Sequence, residues 1–206
     1  KIGVFFYEFY IQHNFKKSLT HTVYSIGMPY KSDKMRKLKK EEFPAPLREI
    51  PDPPKQLYCI GTIPDDTHVF LAVVGSRGVT SYGRAACERL IEGLAGYPIC
   101  IVSGLAMGVD AIAHRKALAV GLPTVAVPGS GLDPKVLYPA TNAQLAEQII
   151  TAGGALISEF EPDVRGAMWT FPRRNRIMAG LCRAVLVIEA EVKSGTLITA
   201  RLALDY

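Results

Sequence analysis

From Phe70 onward the apolar positions fall into short continuous runs separated by amphipathic stretches. Phe70-Leu-Ala-Val-Val74, Ile99-Cys-Ile-Val102, Thr124-Val-Ala-Val127, Ala155-Leu-Ile157 and Ala184-Val-Leu-Val-Ile188 are strand-length and apolar throughout. That is the signature of strands buried on both faces. Helical patterns fill the intervals: Ser81 to about Ala95, about Val109 to Val120, about Asn142 to Thr151, a segment opened by Arg173 to Arg176, and a last helix from Thr196. Strand and helix in strict alternation predict an α/β fold, a doubly wound, mostly parallel, Rossmann-like sheet over residues 67–206.

The pattern breaks down upstream. Six prolines lie between Pro44 and Pro64, including Pro51-Asp-Pro53-Pro54, so residues 44–66 read as an extended Pro-rich connector without regular helix. Leu57-Tyr-Cys-Ile-Gly61 is a short strand candidate within it. Residues 1–43 crowd Phe5, Phe6, Tyr7, Phe9, Tyr10 and Phe15 at one end and a lysine-rich stretch at the other, with no usable period, and receive no fold. Lys31 to Lys40 reads as a solvated run that adds nonspecific phosphate contacts at most.

Charge sharpens this division. The net charge is +5, but residues 1–50 hold ten Lys or Arg against five Asp or Glu, while the rest of the chain is balanced. Affinity of the main domain for a polyanion must therefore come from local placement of arginines. Four scattered cysteines form no metal-ligand spacing and read as buried, reduced thiols. With no spanning apolar stretch and no secretory leader, the expected setting is the cytoplasm, with no membrane contact and no metal or cofactor.

Ligands of open parallel sheets bind beyond the carboxyl ends of the strands. The loops there are Gly75-Ser76-Arg77-Gly78, Ser103-Gly104 through Gly108, Pro128-Gly-Ser-Gly131, Ser158-Glu159 and Lys193-Ser194-Gly195-Thr196. Small residues, hydroxyls and bare amides recur, as a phosphate-reading edge needs. Trp169-Thr-Phe171-Pro172-Arg173-Arg174-Asn175-Arg176 adds three guanidinium forks and a carboxamide after two aromatics. Arginine matches phosphate bidentately and stacks on flat rings. The same arginines could instead pair with Glu159, Glu161 and Asp163 just upstream.

Several chemistries lack their signatures. The first loop is not G-x-G-x-x-G and the second strand ends in Ser103-Gly104 without a carboxylate, which disfavours a dinucleotide; no Walker loop is present. Asp110 and His114 share a helix face, but a histidine held by a carboxylate for structure is the commoner outcome than a Ser103/His114/Asp110 catalytic set. Glu159 and Glu189 end strands and could serve as acid and base, or equally as anchors for the arginines.

Taken together, the motifs resemble the DNA-processing protein A family (DprA, also called Smf). The matching stretches run in order over roughly residues 47–206: Ile50 to Tyr58, Val74 to Arg77, Thr80 to Gly83, Ser103 to Asp110 with His114, Gly131 to Asp133, Tyr138-Pro139 with Asn142, Ser158-Glu159, Phe171 to Arg176, Glu189, and Ser194 to Ala200. The resemblance implies a non-catalytic protein that binds and protects single-stranded DNA without sequence preference, loads the RecA recombinase in natural transformation or recombination, and acts as a homodimer. Carried onto this chain, it implies DNA contacts from Gly75, Ser76, Arg77, Ser103, Gly104, Tyr138, Asn142, Phe171, Arg174, Asn175 and Arg176, with Lys193 and Ser194 as lesser ones.

Three departures stand out. Ala140 replaces a lysine that many relatives carry after the Tyr-Pro pair. The chain ends before the family's usual final strand and winged helix, so a C-terminal truncation is expected, with dimer and RecA contacts in doubt. Residues 1–43 do not resemble the helical domain that often precedes the core. The alternative reading is a LOG-like nucleoside-monophosphate phosphoribohydrolase, against which stands the missing P-G-G-x-G-T-x-x-E pattern at Pro128 to Gly131.

Overall fold

The computed structural model describes residues 3–6, 34–191 and 194–206. Its strands are β1 (Gly3–Phe6), β2 (Arg36–Lys37), β3 (Tyr58–Gly61), β4 (Val69–Gly75), β5 (Ile99–Ser103), β6 (Thr124–Ala126), β7 (Ala155–Ser158) and β8 (Ala184–Ile188). They form one sheet in the order β1-β8-β4-β5-β6-β7-β3-β2. All pairings from β1 to β7 in that order are parallel; β3 and β2 close the other edge antiparallel. The helices are α1 (Ala45–Glu49), α2 (Ser81–Glu92), α3 (Val109–Ala119), α4 (Ala143–Thr151), α5 (Thr170–Leu181) and α6 (Gly195–Asp205).

The expected doubly wound α/β architecture is present. Alternate residues of each strand serve opposite faces, as the pleat requires. Phe70, Ala72 and Val74 of β4 join Ile177, Met178 and Ala203 on the face covered by α1, α5 and α6, while Val73 joins Cys87, Ile91 and Ile112 under α2 and α3. Chain order runs outward from β4 through β5 and β6 to β7, then returns to place β8 on the other side of β4. The loops after β4 and β8 therefore diverge, and a crevice opens between them at the switch point.

The connector differs from its expectation. Residues 45–49 form a helical turn, because Pro44 stands at the N-cap and Pro46 in the first turn, where a missing amide costs nothing. Leu47 and Ile50 insert into the core beside α5. The strand expected at 57–61 pairs antiparallel with β7. Part of the lysine-rich run is also packed and not simply solvated: Leu38 is buried, Lys37 lies over the Tyr58 ring, and Arg36 pairs with Glu42 at 2.6 Å. All four cysteines are free and buried, and burial pushes the Cys59 thiol up to about 11 and Cys87 to about 12. No helix among the described residues is long and apolar enough to cross a membrane.

Candidate nucleic-acid interface

Helix α5 begins at Thr170, three residues before the expected arginine start. Pro172 still falls in the first turn, where it fits, but the arginines now occupy the second turn. The helix is seated by Thr170, whose hydroxyl donates to the Gly129 carbonyl (2.6 Å) and accepts from the Ala167 amide (3.0 Å). From this start the helical period sorts the side chains. Phe171, Arg174, Asn175 and Met178, at i, i+3, i+4 and i+7, all face the crevice between the β4 and β8 loops. Arg173 and Arg176 fall on another face.

The crevice is a cavity of about 410 Å³. Its floor and walls include Gly75, Ser76 and Arg77 from the β4 loop, Asp110 from α3, and Ser194, Gly195 and Thr196 at the start of α6. Gly75 is required by crowding: a side chain there would strike the Ile188 carbonyl and Val109. Ser76 Oγ accepts from the Gly78 amide at 3.1 Å and shapes the turn. That turn leaves Arg77 exposed, its guanidinium 5.2 Å from the centroid of the Phe171 ring. Phe171 in turn meets the half-exposed Tyr138 ring at 5.7 Å, tilted by 54°. Tyr138, Phe171, Gly104, Gly129 and Met107 line a shallow recess that continues from the cavity.

Arg174 is the buried charge of the site. Nη1 donates to the Val127 carbonyl (2.6 Å) and Nε to Asn175 Oδ1 (3.1 Å). Asp110 faces it and accepts from the amides of Gly104 (3.1 Å) and Ala106 (3.3 Å). Burial raises the Asp110 carboxyl above the usual carboxylate range, against the pull of Arg174. Burial likewise lowers Arg174, with Asp110 opposing. Arginine remains charged throughout. Asn175 donates from Nδ2 to the Gly195 carbonyl at 3.2 Å and ties α5 to α6. Ser194 Oγ is buried with no hydrogen-bond partner among the described residues.

Nine of the expected residues thus surround one continuous surface: Gly75, Ser76, Arg77, Gly104, Tyr138, Phe171, Arg174, Asn175 and Ser194. Three others are placed elsewhere. Ser103 is fully buried and donates to the Val73 carbonyl at 2.6 Å. Asn142 is buried and donates to the Leu105 carbonyl (2.8 Å), holding a loop in which Leu105 has φ 59°. Arg176 is buried and bound to Glu159 Oε2 (2.5 Å), to the Asp52 carbonyl (2.7 Å) and to the Asp52 carboxylate (3.2 Å). Arg173 also reaches Glu159 at 3.4 Å. For these two arginines the internal pairing weighed from sequence is the one observed. Lys193 lies outside the described residues. Gly129, Met107 and Thr196, members of the expected edge loops, and Asp110 also line the site.

The catalytic constellations dissolve in the same geometry. Thr124 Oγ1 donates to the Ile101 carbonyl (2.8 Å), so it accepts from His114 Nδ1 at 2.7 Å. Burial pushes His114 down to about 3, and the ring is a neutral core group. Glu189, at φ 51°, accepts from the Thr80 amide (2.8 Å) and hydroxyl at the start of α2. Burial raises Glu159, which is already engaged by Arg176 and Arg173. Neither glutamate lines the cavity.

Residues 34–206 match the family model described as DNA recombination-mediator protein A. The chain is 44% identical over 166 residues to Protein Smf of Escherichia coli (strain K12), covering 80% of the chain and 44% of that protein. It is 42% identical over 163 residues to DNA processing protein DprA of Streptococcus pneumoniae, covering 79% of the chain and 56% of that protein. It thus spans about half the length of these relatives. An X-ray structure of DNA processing protein A from S. pneumoniae superposes with a TM-score of 0.75 at 40% identity, over 84% of this chain and 60% of that one. DNA processing protein A from Helicobacter pylori, solved for its single-stranded DNA binding mode, gives 0.73 at 34% identity, over 84% and 77%.

Proposed function

The chain belongs to the DNA recombination-mediator protein A family, and from that premise we propose that it binds and protects single-stranded DNA at the C-terminal edge of its sheet and loads the RecA recombinase onto it. In this reading it is a non-catalytic homodimer that works on DNA in the cytoplasm, in natural transformation or recombination.

The observation that carries the reading is the exposed Arg77 guanidinium over the Phe171 ring at the mouth of a cavity backed by the buried Arg174 charge. A cation for phosphate beside flat groups for bases suits a single strand, whose bases are free to stack; duplex bases are not. The H. pylori relative, named for its single-stranded DNA binding mode, supports the choice of ligand. The family's description as a recombination mediator supports delivery to a recombinase. The absence of catalysis is supported by the engagement of Ser103, His114, Glu159 and Glu189 in structural bonds. A nucleoside-monophosphate hydrolase is disfavoured by the missing P-G-G-x-G-T-x-x-E pattern at Pro128 to Gly131.

Titration of labelled oligothymidylate against duplex of equal length tests the binding. Single strands should bind more tightly, with log K falling by about 0.7 per phosphate contact for each decade of salt. Equal affinity for both forms, or no salt dependence, would reject the reading. RecA ATPase on strands coated with a single-strand binding protein tests the loading, and sedimentation tests the dimer.

A further inference from the structure

Two large apolar side chains stand out on the surface beside α5. Met168 is 90% exposed and Trp169 is 56% exposed, although aromatic and thioether groups of this size are normally covered. Trp169 is the sole tryptophan of the chain. It is not loose: its ring packs edge-on against the buried Phe160 at 5.5 Å and 90°. Phe160 lies two residues past the end of β7, whereas Arg77 follows β4 and Gly129, beneath Phe171, follows β6.

These positions define a line. Across the sheet order, the C-terminal edge carries the cavity between β8 and β4, then Arg77, then Phe171 with Tyr138, then Trp169 over β7. Trp169 and Phe171 flank the N-terminal end of α5, the positive end of its dipole. Arg173, half exposed and with one guanidinium nitrogen 3.4 Å from Glu159, follows Trp169 by four residues and so lies on its face of the helix. Gly166, two residues before Met168, lies against Tyr138, so the lip that carries Trp169 abuts the recess. Neighbouring strands are about 4.8 Å apart, so the four intervals from β8 to β7 span roughly 19 Å, room for several nucleotides.

Resting on the single-strand reading above, we propose that Trp169 is a second stacking platform, and that the bound strand crosses the N-terminus of α5 from the Arg77–Phe171 pair to Trp169 and Arg173. An aromatic of this kind could equally anchor a protein partner. The continuity with the aromatic row and the cation beside it favour nucleic acid, because interleaved cations and flat rings are what a single strand requires.

The sole tryptophan makes the test direct. Oligothymidylate is titrated into the full chain, with binding followed by the anisotropy of a label on the DNA and stacking by intrinsic fluorescence excited at the indole. Binding should quench the emission in parallel with the anisotropy. Trp169→Ala should weaken a twelve-nucleotide strand by about fivefold or more, and a strand too short to reach from Phe171 to Trp169 much less. Trp169→Phe should retain most of the affinity. Trp169 covers Phe160, so Trp169→Ala should lower the melting temperature modestly, and affinities are compared at a temperature where each variant is fully folded. Binding with unaltered emission and no length-dependent loss overturns the proposal while leaving the single-strand reading intact, and assigns the face to a protein partner. No binding at all removes both.

Discussion

Arg174 and Gly104 share one space: the guanidinium lies where a side chain at position 104 would begin, and the Asp110 carboxylate closes the other side. A buried cation is tolerable only when its hydrogens and its charge are met. Here the Val127 carbonyl, Asn175 and the facing Asp110 meet them because no Cβ intervenes. Gly104→Ala should therefore push Arg174 out of place at a cost of about 1–3 kcal/mol, the usual range for overpacking, read as a lower urea midpoint. The same variant should lose affinity for single strands, because Arg174 backs the cavity. A substitution that leaves both quantities unchanged would mean the guanidinium has another resting place.

Arg77 separates charge from shape. Arg77→Lys keeps the cation but loses the flat fork over Phe171, whereas Arg77→Ala loses both. Anisotropy titrations over a range of salt should give the alanine variant a slope shallower by about 0.7, with the lysine variant close to wild type. Both should bind more weakly than wild type, the alanine by the larger factor. A lysine variant with full affinity would show that the stacked geometry contributes nothing.

Most of the architecture was written in the chain because its signals are local. Val73, Ile101 and Val125 sit in runs that only a buried strand accommodates, and the glycines after β4 and β5 mark where the edge must be. The site was legible in its membership more than in its orientation. Phe171, Arg174 and Asn175 line the cavity together, whereas Arg176, which the family resemblance places with them, turns to Glu159, because each step along a helix rotates a side chain by about 100°. Counting i+3, i+4 and i+7 from Phe171 separates the two faces once the helix start is known, and that start depends on a long-range bond from Thr170 to Gly129. The packing of the connector was hidden for a similar reason. Proline density speaks only of backbone, whereas Leu47 and Asp52 are placed by α5, far away in sequence.

Arg176 should accordingly behave as a structural residue. Its guanidinium and the Glu159 carboxylate are both buried, so Arg176→Ala leaves that carboxylate with only the longer contact to Arg173 and should cost up to about 3–5 kcal/mol. Glu159→Gln, which keeps a hydrogen-bond acceptor, should cost less. Urea unfolding gives both values. At a temperature where each variant is fully folded, their salt slopes with single-stranded DNA should equal that of wild type, since neither group lines the cavity. A reduced slope for Arg176→Ala would return this residue to the phosphate-binding set.

His114 makes the stability depend on pH. The folded ring is held neutral by burial, down to about 3, while the unfolded ring takes its proton near the ordinary 6.5. As pH falls below 6.5 the unfolded state binds a proton that the folded state does not, so stability is fully present above 6.5 and is lost progressively toward 3. The slope contributed by one such group is at most about 1.4 kcal/mol per pH unit. Asp110 and Glu159, whose carboxyls burial raises, are present in both wild type and a His114 variant, so the difference between the two proteins isolates the effect. His114→Gln cannot take up the proton, so although it is less stable at pH 7, its unfolding free energy should fall less steeply over that interval, by up to about 1.4 kcal/mol per unit. Unfolding by urea at four pH values checks this, and equal slopes for the two proteins would mean that the folded ring reaches solvent and charges there as freely as in the unfolded chain.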